Sequence, residues 1–178
     1  MSASFSLKQA MRRLWSDHVI WTRMYIVSAV AGAPDAEAAA GRLLRNQEDI
    51  GNAIVPYYGQ GAGAKLTGLL KQHILIAVDL IAAAKSGDQT KFAEYDKKWD
   101  ANADDIASFL SGANPNWPKK ETADLLYLHL KLTKGEVVAR LKKNWAEDVK
   151  AFDEIFTEAM VIADTLSEGV IKQFPGKF

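Results

Sequence analysis

The only three histidines of this chain, His18, His73 and His129, lie on stripes that otherwise carry Leu, Ile, Trp and Ala at helical spacing. Neutral imidazole binds zinc, iron, nickel or copper, and three such ligands leave a coordination position open for water or substrate. Glu136 follows His129 by seven residues, so the two face the same way two turns apart, with Thr133 between them. A carboxylate at that place suits a fourth ligand, a group that holds a ligand in position, or a general base. The same histidines suit a proton relay, a polar ligand pocket, or three unrelated core residues with local partners. Periodicity does not fix the order of helices around a bundle. Convergence of the three is therefore an expectation, with a divalent transition metal (zinc or iron) or a small polar molecule as occupant.

Other metal signatures are missing. The chain has no Glu-x-x-His, no His-x-x-x-His and no His-Glu-x-x-His, and too few histidines for a hemerythrin-type iron pair. Three-histidine sites occur in bundles of the DinB-like kind, whose histidine spacing this chain does not reproduce. A second polar group is formed by Arg45, Asp49 and Asn52, spaced i, i+4, i+7 and followed by Tyr57 and Tyr58. It reads either as the wall of a ligand pocket with the tyrosines at its mouth, or as a solvated helix face. Asn46 and Gln47 sit beside an apolar stripe, so at least one of them points inward. Asn102 interrupts another stripe, where it fixes register or orients a histidine. Asp148, Asp153 and Glu158 flank the last stripe and read as surface charges. Gly59–Lys65 lacks the Gly-Lys-Ser/Thr ending and the preceding strand of a phosphate loop, and reads as a flexible helix start. There is no nucleophile-elbow or dinucleotide motif. The five tryptophans sit mostly at core spacing.

Lys+Arg and Asp+Glu both number 22 in a chain of 178 residues. No global field recruits nucleic acid or an anionic membrane, and neither is an expected partner. Cysteine is absent, which excludes disulfides, thiolate metal sites and cysteine nucleophiles and fits a cytoplasmic protein. The length suits one domain over residues 1–178. The apolar runs Val19–Ala33 and Gln72–Ala84 are too short for a membrane span and carry Arg23, and His73 with Asp79. Arg12-Arg13 before an apolar run imitates a signal peptide, but the amphipathic period through that run favours a mature helix.

The elements that must position these groups are all helices. The period of 3.6 recurs in every long segment, and runs of β-branched residues with period two are missing. Punctuation predicts about six: Ser6–Ala31, stopped by Gly32-Ala33-Pro34; a second from Asp35 to about Val55, ended by Pro56; then, after a loop at 57–61, Ala62–Lys85. The others are Gln89–Ser111, Lys119–Leu141 beyond the loop 112–118, and a last helix carrying Trp145, Val149, Phe152, Phe156, Ala159, Ala163, Leu166 and Val170. Short loops between long amphipathic helices predict an all-α, up-and-down antiparallel bundle. No internal sequence repeat is evident.

The strings His18–Arg23, Arg45–Gly51, Pro56–Gly59, Leu69–His73, Trp99–Asp104 and His129–Thr133 together resemble a family of small uncharacterised bacterial helical proteins. Some of these carry the labels glycosyltransferase or acetylglutamate kinase. Neither label suits a chain without alternating strands and helices. The resemblance spans nearly the whole chain and implies a bacterial origin and a single domain. It also implies a histidine near Glu158, where this chain departs. The leading expectation is a bundle that binds a metal ion or small polar ligand on His18, His73 and His129, with Glu136 and Asn102 in support. Two alternatives are a non-catalytic interaction protein, working through the loops at Tyr57–Tyr58 and Asn114–Trp117, and a carrier of apolar or aromatic ligands.

Overall fold

The computed structural model describes residues 2–178. Five helices follow one another: α1 (Ala3–Ala31), α2 (Ala36–Ser86), α3 (Gln89–Ala113), α4 (Lys119–Leu141) and α5 (Trp145–Gln173), with a single 3₁₀ turn at Pro175–Lys177. The fold is all-α, as the periodicity predicts, with five helical elements rather than six.

The difference lies in α2. The chain stays helical through Pro56 and leaves the helical region only at Gly59, with φ 83° and ψ 169°. That backbone region is nearly closed to any residue with a Cβ. The element folds back there into two arms, 36–58 and 60–86. Gly51 and Gly63 would stand about 18 Å apart on a straight helix. Instead a Cβ on Gly51 would lie 2.7 Å from the Gly63 carbonyl oxygen, and one on Gly63 would lie 2.9 Å from the Gly51 carbonyl oxygen. The arms cross where neither has a side chain. By length and composition α2 is the one described helix apolar enough to cross a membrane, yet half of its most apolar window is buried in the bundle.

The rods form three helical hairpins: α1 with the first arm of α2, the second arm of α2 with α3, and α4 with α5. Helix α5 packs on α1 and closes the ring. The hairpins are equivalent at a spacing of 55–56 residues that the sequence does not advertise. On the outgoing helices Val19, Ile74 and Leu130 correspond, as do Ile26, Ile81 and Val137. On the returning helices Leu43, Trp99 and Ile155 correspond, then Ile50, Ile106 and Ile162, then Ile54, Leu110 and Leu166. All are buried. What repeats is burial and approximate volume, which a packed core needs, while identity is kept at few positions. The residues at the ends of the outgoing helices correspond too. Gly32, Gly87 and Lys143 all have positive φ, and Lys143 is the one non-glycine among the described residues to do so.

Several surface expectations change. Trp117 is 2% exposed, donating from Nε1 to the Thr165 carbonyl and resting against Gly169. Asn114 is fully buried. Of the loop expected as an interaction surface, Asn114 and Trp117 are therefore core residues, while Pro115 and Asn116 between them are exposed. At the start of α5, Trp145 and Val149 are exposed rather than inward. Asp148 and Glu158 are buried rather than at the surface, while Asp153 is exposed as expected.

Candidate metal centre

The three histidines meet at the centre of the ring, one from the outgoing helix of each hairpin. The His129 ring centroid lies 5.6 Å from that of His18 and 6.3 Å from that of His73. All three are buried. Each presents Nδ1 to a polar side chain 29 residues downstream on the returning helix: Gln47 for His18, Asn102 for His73 and Glu158 for His129. In the first hairpin, one residue shorter than the others, the partner Gln47 stands one residue past Asn46, the position equivalent to Asn102 and Glu158, and so keeps the count.

These partners set the tautomers. Asn102 donates from Nδ2 to the Leu69 carbonyl, so its Oδ1 faces His73 and accepts from Nδ1–H at 2.8 Å. Glu158 Oε2 accepts from His129 Nδ1–H at 2.9 Å. Both rings thereby keep an unprotonated Nε2. Asn46, the positional counterpart of Asn102, donates likewise to the Leu14 carbonyl. His18 differs. The Gln47 amide nitrogen faces three acceptors (the Leu43 carbonyl, Asn46 Oδ1 and His18 Nδ1) while Gln47 Oε1 is buried without a partner. In this orientation the His18 proton sits on Nε2. Turned over, the amide accepts from Nδ1–H and frees Nε2. Among the described residues no protein group hydrogen-bonds to Nε2 of any of the three.

One turn further along the outgoing helices lies a cavity of about 20 Å³, lined by all three histidines, Thr22, Thr133 and Trp99. One water-sized particle needs roughly 10–15 Å³, so the space suits a single such occupant. Thr22 and Thr133 donate their hydroxyl hydrogens to the carbonyls of His18 and His129 and keep lone pairs free. The other walls are mostly apolar, from Leu43, Ile74, Ala77, Val78 and Ile81, so the few polar groups facing the space are imidazole nitrogens and threonine oxygens, which suit a cation or a hydrogen-bond donor. Burial, followed by the neighbouring His129 and His73, holds His18 well below the ordinary histidine value. Burial and then His129 lower His73 to about 3, against the hydrogen bond with Asn102. Neutral imidazole is the ligating form.

Three imidazoles on one tetrahedral zinc, with Zn–N near 2.1 Å, place ring centroids roughly 5.3 Å apart. The His18–His129 separation is close to that, and His73 stands farther out. As the side chains lie, no group of three or more His, Asp or Glu residues among the described residues is disposed to hold a metal ion.

The remaining expected residues go elsewhere. Glu136 accepts from Arg23, which also makes a two-pronged ion pair with Asp148, joined in turn by Arg140. It is a clamp between α1, α4 and α5, two turns from His129, and not a ligand or base at the histidines. Burial raises the Glu136 carboxyl despite Arg23. Burial alone would raise Asp148 as well, but its hydrogen bonds from Arg23 and Arg140 hold it low. Arg45, Asp49 and Asn52 are exposed and line none of the interior cavities beside the histidines. Tyr57 stacks on Phe178, and Tyr58 donates to Gln173 and accepts from Asn114, both at the bend of α2 and away from the histidines. Burial raises Tyr58 to about 12. Sequence reasoning missed Glu158 and Thr22. The 29-residue count from each histidine to its partner is the signal that locates Glu158. Compared with known proteins, the chain matches no family model, no curated protein and no solved structure.

Proposed function

We propose that the protein binds a divalent transition metal ion, zinc or iron, through Nε2 of His18, His73 and His129. The observation that carries this reading is the three buried rings, one per hairpin, each held at Nδ1 by a polar partner. Metal-ligating histidines have that support on the nitrogen that does not bind the ion. With the Gln47 amide turned over to accept from His18 Nδ1–H, all three histidines would offer Nε2 to such an ion, which would supply a Lewis acid. The space beside Thr22 and Thr133 would admit one water or a similarly small polar ligand next to that ion. Cytoplasmic location and bacterial origin belong to the same reading.

The carrier alternative has less support, since the enclosed interior cavities are about 10, 20 and 30 Å³, against the roughly 150 Å³ that admits benzene. The test is metal content by mass spectrometry on untagged protein, beside His73→Ala. Near-stoichiometric metal that disappears in the variant is expected. Protein that stays metal-free after reconstitution with zinc, iron, manganese, nickel and copper would overturn the reading.

A further inference from the structure

On the other side of the histidine layer lies a second enclosed space, of about 30 Å³. Its walls come from equivalent positions of all three hairpins. Trp15, Leu70 and Leu126 each precede a histidine by three residues, and Ile50, Ile106 and Ile162 face them from the returning helices. The chamber thus sits on the same internal axis as the histidines, and Trp15 touches both, its ring centroid 5.3 Å from that of His18. The volume equals roughly two water-sized spheres, enough for a diatomic molecule. A water needs two to four polar partners, and these walls are aliphatic apart from Thr122, Thr165 and Trp15. The Thr122 hydroxyl hydrogen is already given to the Pro118 carbonyl. Trp15 Nε1–H is buried with no acceptor. A cell of this size with mostly aliphatic walls suits a small apolar molecule.

We infer that this chamber is a binding site for a nonpolar diatomic gas, with dioxygen as the ligand class. As a gas site the chamber stands on its own walls. Its use as a store of ligand for the ion rests on the metal reading above.

The test uses metal-free protein, so it does not depend on an ion being bound. Crystals pressurised with xenon are expected to show one xenon atom among Ile50, Ile106 and Ile162. The xenon is expected to be lost in Ile106→Phe, which fills the chamber, and retained in His73→Ala. Leu70→Phe fills the chamber from another wall and serves if Ile106→Phe does not fold. In solution, methyl protons of Ile106 and Ile162 should relax faster under dioxygen than those of Ile26 and Ile155, which are equally buried but line none of the interior cavities described above. An ordered water on Trp15 Nε1 that xenon does not displace would overturn the inference. So would xenon bound only elsewhere, or equal relaxation at all four isoleucines. Xenon in the chamber of a protein that takes up no metal would keep the gas site and retire only its link to the ion.

Discussion

Single side chains carry two features of this bundle that no helical pattern displays. Lys143 occupies a left-handed position (φ 56°) that the equivalent turns give to Gly32 and Gly87. A Cβ is strained there, so Lys143→Gly should stabilise the protein by about 1 kcal/mol, read as a raised urea midpoint with unchanged slope. A lowered midpoint would mean that the third turn draws compensation from the lysine side chain. Glu158 is the other case. Its Oε2 accepts from His129, and its Oε1 is buried without a partner, whereas the matching nitrogens of Asn46 and Asn102 donate to the carbonyls of Leu14 and Leu69. Glu158→Gln keeps the acceptor and supplies the missing donor, so it should leave stability unchanged or raise it. Glu158→Leu strands His129 Nδ1–H and should cost about 1–3 kcal/mol. The same variant should weaken metal binding by roughly 10–100-fold, as loss of a ligand's supporting group does. Equal stability for the two variants would sink this account of the site.

At the scale of elements, α2 decides the architecture. Its arms cross at Gly51 and Gly63, and a Cβ on Gly51 would lie 1.9 Å from Thr67 Oγ1. Gly51→Ala should therefore destabilise by about 3 kcal/mol through overpacking. Gly59→Ala meets no atom within 4 Å, so its cost, about 1–3 kcal/mol, comes from the backbone alone. Combining Gly51→Ala with Thr67→Ala should recover part of the first loss and none of the second, measurable by denaturant unfolding. The helices themselves were legible from period and caps. Asp88 and Asn144 cap α3 and α5 from their side chains, and Gly32 and Gly87 end the helices before them. The exact break in α2 was not legible, because Pro56 is the louder signal and Gly59 the one that turns the chain. The threefold equivalence was hidden because Val, Ile and Leu replace one another where only burial and volume are kept. Trp145 and Val149 misled for a related reason. They continue the stripe of α5 past the end of the core it packs against.

For the whole molecule, the sequence placed the histidines inside but not Glu158. A glutamate beside a stripe reads as solvated until the antiparallel partner brings His129 against it. The burial of uncharged imidazole has a consequence for the entire fold. His73 is lowered to about 3 and His18 well below its ordinary value, both first by burial. Above pH 6.5 the folded and unfolded chains both hold these rings neutral, and their contribution is complete. Below it the unfolded chain binds protons that the folded chain refuses. Stability then falls by about 1.4 kcal/mol per pH unit for each histidine until the folded value is reached. Asp148, held low by Arg23 and Arg140, acts in the same direction only below its unfolded value near 3.8. Glu136, raised by burial, acts oppositely from its folded value down to its unfolded value near 4.5, since the folded chain takes that proton first. Two histidines whose loss begins at 6.5 outweigh one carboxyl. The metal-free protein should thus lose urea stability steadily from pH 7 to pH 5, and His73→Phe should show about half that slope. A midpoint that stays level across those two units would mean that water reaches the rings and that the centre of the ring is not closed.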